Sequence, residues 1–267
     1  QRQMCIRDRF HPNTLTLMHS SIAIIGASSA IAYEVAVTYA GQGASLFITA
    51  RGDDKCVILR DDLLARGARR VHACSYDAER EFEQRDITQE IASLMPECSL
   101  ILVAYGVLSD TEACSHDVAR TVREFTLNAT SVIAVCTQAG MFFERQTTRT
   151  HVPCIAAISS VAGDRGRGSN YVYGAAKGAV TLFLQGMRNR LFSKGIHVVT
   201  IKPGFVATPM TAHLPHNPLF ASPRSVAASI VKAIESRKDV VYTPGYWRYI
   251  LMIVRAIPER IFKRLHT

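Results

Sequence analysis

Tyr173 and Lys177 stand four residues apart in the stretch "ISSVAGDRGRGSNYVYGAAKGAV" (158–180), and Ser160 precedes the tyrosine by thirteen. A helical pattern over 170–193 puts the phenol and the ammonium on one face, where they can act together. A phenol with a reference pKa of about 10 is a poor acid or base near neutrality. A neighbouring ammonium favours the phenolate and is expected to pull that pKa down, which suits proton transfer to or from an oxygen. Ser160, at the end of the preceding strand pattern, could hydrogen-bond a carbonyl. Taken singly, Ser160 also reads as a strand-end cap and Tyr173 as a half-buried ring with a satisfied hydroxyl.

A second chemistry-bearing stretch is "IIGASSAIA" (24–32), a strand that runs through a tight turn into a helix. Such a turn aims helix N-terminal N–H groups and the helix dipole at a pyrophosphate. Gly26, Ser28, Ser29, Ala30 and Ile31 are its candidate contacts. The three-glycine spacing of dinucleotide sites is reduced here to Gly26, Ala30 and Ala32, so the last two positions reject a positive φ. At the end of the next strand, "FITARGDD" supplies Arg51 where an acidic residue would select NAD(H). A cation there favours NADP(H), with NAD(H) the alternative; a solvated arginine at a strand end is the plainer reading. Asp77, after the third strand, reads either as an acceptor for an adenine amine or as an N-cap for a helix over 78–92.

These motifs resemble the short-chain dehydrogenase/reductase family over roughly residues 20–245. The resemblance implies that Ser160 orients a substrate carbonyl and that Tyr173 protonates the nascent alkoxide. It implies that Lys177 holds the nicotinamide ribose and that Asn128, in "EFTLNATSV", holds a relay water. It further implies nicotinamide-side contacts from Pro203, Gly204, Val206 and Thr208 in "IKPGFVATP". Ala104, Tyr105 and Gly106 in "VAYG" stand where the family has NNAG. With Tyr173 and Lys177 these complete the expected cofactor contacts. Tyr105 in place of Ala, and the two alanines of the glycine motif, mark a subgroup away from the common acyl-carrier and steroid reductases. A homo-oligomer is expected.

The elements that must position these groups recur as β-branched or apolar runs followed by helical patterns. Strands are expected at 21–27, 45–51, 70–76, 100–106, 152–160, 197–204 and 240–244. Helices are expected at 30–41, 53–66, 79–94, 114–144, 170–193 and 223–237. Several strands are apolar on both faces, as between two helix layers. The fold class is therefore α/β: one Rossmann-type, doubly wound parallel sheet of about seven strands with helices on both faces, plus a C-terminal amphipathic helix. We expect residues 1–17 to be a non-native or disordered extension, with Met18 the start of a reductase domain over 18–245 and a basic tail over 246–267.

Composition narrows the function classes. The chain of 267 residues is 48% apolar and 20% charged, ordinary for a globular protein. No apolar run is expected to reach the roughly 18 to 20 residues of a membrane span. The seven cysteines are scattered without a CxxC pair or Cys/His metal spacing, so they read as reduced thiols of a cytoplasmic protein and no metal is expected. His151, His197, His213 and His216 form no ligand set and read as surface or loop residues. No nucleic-acid partner is expected.

The net charge is +9, and from Arg237 onward seven Lys/Arg face two acids. In that tail Trp247, Ile250, Leu251, Val254, Ile257, Ile261, Phe262 and Leu265 fall at helical spacing, with Pro258 opening a second helical turn at its N1 position. The stripe and its cations suit a peripheral membrane helix; a helix docked on the sheet or on a sister subunit is the alternative. All candidate catalytic residues lie upstream of it. The segment 209–223, rich in Pro and apolar residues, would close over an apolar or lipid-bearing substrate, or be rigid packing. A narrower resemblance, through "RGRGSNYVYGAAKGAV", "MRNRL", "VVTIKPGFVATPMT" and "DVVYTPGYWRYI", is to the branch that includes the decaprenylphosphoryl-2-keto-pentose reductases. It implies reduction of a polyprenyl-phosphate-linked 2-keto-sugar at the inner face of the membrane. A reductase of soluble or acyl ketones is the second reading. A nucleotide-binding regulator without turnover is the third, against which the complete set Asn128, Ser160, Tyr173 and Lys177 argues.

Overall fold

The computed structural model describes residues 19–265 apart from 148, 150, 213, 214 and 216. The extension 1–17, Met18, His213 and His216 lie outside the described residues. Seven strands form one parallel sheet: β1 (Ser21–Ile25), β2 (Ser45–Ala50), β3 (Arg70–Ser75), β4 (Leu100–Val103), β5 (Cys154–Ile158), β6 (His197–Pro203) and β7 (Val240–Thr243), in the order β3-β2-β1-β4-β5-β6-β7. The helices are α1 (Ala30–Ala40), α2 (Asp53–Ala65), α3 (Ile87–Leu94), α4 (Thr111–His116), α5 (Val118–Phe125), α6 (Ser131–Arg145), α7 (Tyr171–Phe192), α8 (Pro223–Glu235), α9 (Trp247–Ala256) and α10 (Glu259–Phe262).

Strand alternation divides the core in two. Ile22 and Ile24 of β1 face the layer holding α1, α2 and α8, while Ala23 and Ile25 face α3, α6 and α7. Both faces are covered, so β1 is buried throughout and reads as an unbroken apolar run. The direction of strand addition reverses between β1 and β4, and the crevice beyond the carboxyl ends of those two strands is where such sheets bind ligands.

Three helix expectations change. Of 79–94 only Ile87–Leu94 is helical. Asp77 caps a separate turn, its Oδ1 accepting from the Glu79 N–H at 3.1 Å. The run 114–144 breaks at Asp117, whose extended backbone ends α4 and whose carboxylate caps α5. It then widens into a π turn at Thr126–Thr130 before α6 begins. By length and composition Val118–Arg145 meets the criterion for a membrane-crossing helix, against the sequence expectation, but half of its apolar stretch is buried inside the protein.

The tail also changes. The apolar stripe read from sequence divides: Trp247, Leu251 and Phe262 are buried and Ile250 and Val254 pack beside Trp247 and Leu251, while Ile261 and Leu265 are exposed. The outward face of α9 carries a different apolar set, Tyr249, Met252 and Ile253, each more than 60% exposed. Pro258 caps α10 rather than occupying its first turn. His197 is mostly buried at the start of β6, 3.3 Å from Asp239, not on the surface as expected. Six cysteines are described and all are free thiols.

Candidate active site

The site begins where β5 ends. Ser159 donates its hydroxyl to the Lys177 carbonyl at 2.9 Å, and its Oγ lies 2.7 Å from Thr181 Oγ1, which fastens the strand end to α7. Ser160 follows in extended conformation and caps a short 3-10 turn, Val161–Asp164, its Oγ accepting from the Ala162 N–H at 3.1 Å. The capping reading of Ser160 therefore holds.

Glycines set how closely that turn approaches α7. A Cβ on Gly163 would lie 2.6 Å from the Gly178 nitrogen and 2.7 Å from the Lys177 carbonyl carbon. One on Gly174 would lie 3.0 Å from the Ala162 oxygen. With no side chain between them, the two backbones touch, and Ser160 comes beside the first turns of α7 that carry Tyr173 and Lys177.

Lys177 is 3% exposed and donates to the Ile158 carbonyl at 3.1 Å. Its Nζ stands 5.7 Å from the Tyr173 ring centre. Burial lowers its pKa to about 8. Burial likewise pushes the Tyr173 phenol up, opposed by hydrogen bonding from Ser160. Without a cofactor beside it, desolvation of the phenolate thus outweighs the Ser160 hydrogen bond, against the fall expected from the sequence.

Asn128 sits on the π turn, fully buried. Its Oδ1 accepts from the Val107 N–H at 2.9 Å, and its Nδ2 has no partner among the described residues. Gly106, at φ +155°, lies where a Cβ would come 2.7 Å from Asn128 Oδ1 and 3.4 Å from Lys177 Nζ. The loop after β4, the π turn and α7 therefore converge on one glycine. The π turn carries no Gly, Pro or charge signal in the sequence, whereas Asp117 just ahead of it is a readable N-cap.

On the other side of the crevice Gly26 takes φ +91° and donates to Thr49 Oγ1 at 3.0 Å. A Cβ there would also be 2.8 Å from the Tyr105 Cβ, so both handedness and close approach require glycine. Ala30 and Ile31 open α1, where right-handed backbone suffices, and Ser29 makes no side-chain capping bond. The N–H groups of that first turn stay open, beside exposed Ser28. Ala104 donates to the Ile25 carbonyl at 2.9 Å. The Tyr105 ring turns into the core on the α6 side, so at this position only backbone and Cβ border the crevice. The β1–β2 register carries Arg51 abreast of Ala27, exposed and without a side-chain partner among the described residues. Asp77 is engaged in its own turn, its N–H donating to Glu81 Oε1 at 2.7 Å.

Pro203 ends β6. A Cβ on Gly204 would overlap the indole of Trp247, which therefore roofs this segment. Val206 is buried and bridged to Ala221, and the Thr208 N–H donates to Thr211 Oγ1 at 3.2 Å. The tail thus packs against the body at this segment, the docked arrangement that stands as the alternative to a membrane helix in its sequence reading. Arg165, just past the Ser160 turn, strengthens that link. It donates to the carbonyls of Val254, Arg255 and Ile257, pairs with Glu259 at 2.9 Å and lies 4.0 Å over the Phe262 ring. Asp164, ending the same turn, forms a buried ion pair with Lys202 and accepts from the Tyr242 hydroxyl through Oδ2 at 2.7 Å. Sequence spacing carried no signal for these long-range partners.

The family model described as short chain dehydrogenase matches residues 20–218. An oxidoreductase of Mycobacterium tuberculosis, described as uncharacterized, is 30% identical over 250 residues, 91% of this chain and 96% of its own. Among solved structures, a short chain dehydrogenase from Burkholderia cenocepacia in complex with NADP superposes with a TM-score of 0.75 at 18% identity, covering 94% of this chain and 99% of its own. A 3-oxoacyl-[acyl-carrier protein] reductase from Brucella melitensis in complex with NAD does so with a TM-score of 0.75 at 17% identity, covering 86% and 98%.

Proposed function

The chain belongs to the short-chain dehydrogenase family, and from that premise we propose that it is a reductase taking NADP(H), with NAD(H) the lesser alternative, that converts the keto group of a polyprenyl-phosphate-linked sugar to a secondary alcohol. The observation that carries the reaction type is the convergence of Ser160, Tyr173, Lys177 and Asn128 on one crevice. The crevice suits a dinucleotide: Gly26 leaves room at the β1 turn, the first N–H groups of α1 are open, and Asn128 keeps a buried donor without a partner. Gly26, Ser28, Ser29, Ala30 and Ile31 would take the pyrophosphate, and Arg51 a 2′-phosphate. Lys177, Gly106, Pro203, Gly204, Val206 and Thr208 would take the nicotinamide half. When bound, the nicotinamide supplies the hydride.

The chain's own groups do the rest. Ser160 Oγ would hold the substrate carbonyl. Tyr173, with its pKa pushed up by burial, keeps its proton near neutrality and would deliver it to the carbonyl oxygen as that oxygen becomes an alkoxide. Lys177, at about 8, is mainly ammonium at pH 7 and stabilises negative charge beside it.

The substrate class follows from the tail and from the narrower resemblance described above. An outward apolar face of α9, flanked by Arg248 and Arg255, would hold the enzyme at the inner membrane surface where such a substrate lies. The decisive assay follows NADPH oxidation against keto-sugars carried on polyprenyl phosphate and against soluble and acyl ketones. Turnover of the lipid-linked keto-sugars, lost about 100-fold or more in Tyr173→Phe, is the expected result. Turnover confined to soluble ketones would replace the substrate reading with the second one.

A further inference from the structure

The turn that carries Ser160 is anchored at its far end by charge. Asp164 closes the 3-10 turn that Ser160 caps, and both of its carboxylate oxygens are filled. Oδ1 pairs with the Lys202 ammonium, and Oδ2 accepts from the Tyr242 hydroxyl at 2.7 Å. The Asp164 and Lys202 side chains are 3% and 7% exposed. Lys202 and Tyr242 are register partners on β6 and β7, so they project from the same face of the sheet. The Lys202 ammonium also lies 5.3 Å from the centre of the Tyr242 ring. Burial, and then the Asp164 carboxylate, push the Tyr242 phenol up, so it stays a donor.

Stability alone gives no reason for this pair. Taking two charges out of water carries a cost that their attraction roughly cancels, and apolar side chains of similar volume commonly hold a fold as well or better. Direction is what a filled polar network adds: it accepts one arrangement, whereas an apolar contact tolerates sliding. What it fixes here follows from where the backbone ladder stops. The last backbone bond from the end of β5 to β6 runs from the Ser159 N–H to the Ile201 carbonyl at 2.7 Å. Ser160 lies one residue past that bond on its strand. Lys202 lies one residue past it on the other, next to Pro203 and Gly204. The ion pair therefore continues the tie beyond the ladder, joining the serine turn to the segment expected to meet the nicotinamide half.

We infer that Asp164 and Lys202 are positioning residues, whose ion pair, completed by Tyr242, sets where Ser160 stands relative to Tyr173 and to the Pro203–Gly204 segment. They act through Ser160 and need touch no reacting atom. The inference rests on the reductase reading above and is independent of which ketone is reduced.

Two full-length variants test it. Lys202→Met leaves the carboxylate buried without its cation. Asp164→Leu, Lys202→Met and Tyr242→Phe together remove every partner at once. Urea denaturation, NADPH binding and kinetics on the parent's best ketone from the panel above are measured for each, with crystal structures of the parent and the triple variant. Lys202→Met is expected to unfold at lower urea. The triple variant is expected to match or exceed the parent in urea and to keep its affinity for NADPH. Its kcat should nevertheless fall about 10- to 100-fold, the scale of a misplacement near 1 Å, with Ser160 Oγ displaced from Tyr173 in the crystal. A triple variant that keeps both stability and kcat overturns the inference, and so does one in which Ser160 holds its place. A triple variant that does not fold shows the pair to be a requirement of the fold and overturns it too. The two readings fail separately: a parent that reduces no ketone refutes the reductase, while the place of Ser160 in the triple variant still decides the inference.

Discussion

Lys177 carries an ammonium that the fold disfavours. Its folded pKa of about 8 lies below the ordinary lysine value of 10.5, a penalty on the order of 3 kcal/mol whenever it is charged. Between those two values the unfolded chain binds the proton and the folded chain does not, so this group's contribution to stability rises with pH across that window. Lys177→Met should therefore withstand more urea than the parent at pH 7, with the advantage shrinking from pH 8 toward 10.5, while reduction is lost. In the parent, the rate of reduction should fall above about pH 8 as the ammonium disappears. A Lys177→Met protein less stable than the parent at pH 7 would contradict this. The residue set itself was legible in sequence, because Tyr173 and Lys177 at four and Ser160 at thirteen is a local pattern. The direction of the Tyr173 shift was not, because desolvation sums over the whole packed surround.

The seam between the Ser160 turn and α7 belongs to the scale of elements. Gly163→Ala puts a methyl against the α7 backbone, at 2.6 Å from the Gly178 nitrogen, where nothing can give way. It should cost about 1–3 kcal/mol and reduce turnover by moving Ser160 from Tyr173. Gly186→Ala, further along the same helix with open space around it, should instead gain about 0.5–1 kcal/mol and leave turnover alone. Paired denaturation and rate measurements check both signs. Strands β1, β4 and β5 were readable here because each is a continuous apolar run, and β3, RVHACS, was readable only from its place in the strand–helix alternation. The break at Asp117 was readable from its capping residue but was masked by the apolar content on either side. The π turn was not, since it depends on α5 and α6 packing against α7 from two directions.

For the whole molecule, the question is which face of the tail meets the outside. Periodicity alone located an apolar stripe on α9 but could not say that the sheet side would claim it. Trp247 and Leu251 are taken by the body, so the membrane contact proposed above would fall to Tyr249, Met252 and Ile253 among flanking arginines. Replacing those three by Ser should leave the thermal transition and the reduction of soluble ketones intact. It should abolish flotation with vesicles rich in anionic phosphatidylglycerol, and flotation equal to that of the parent would refute the membrane role.

Trp247 lying where a side chain of residue 204 would stand has a historical consequence. The two positions are far apart in the chain but make one lock, in which enlarging residue 204 is barred until residue 247 has shrunk. A lineage that trims the indole first passes through an ancestor with a hole in the wall of its crevice. Descendants of this chain are thereby held to one order of change, and a Gly204→Ala variant should recover function only on a background already altered at Trp247.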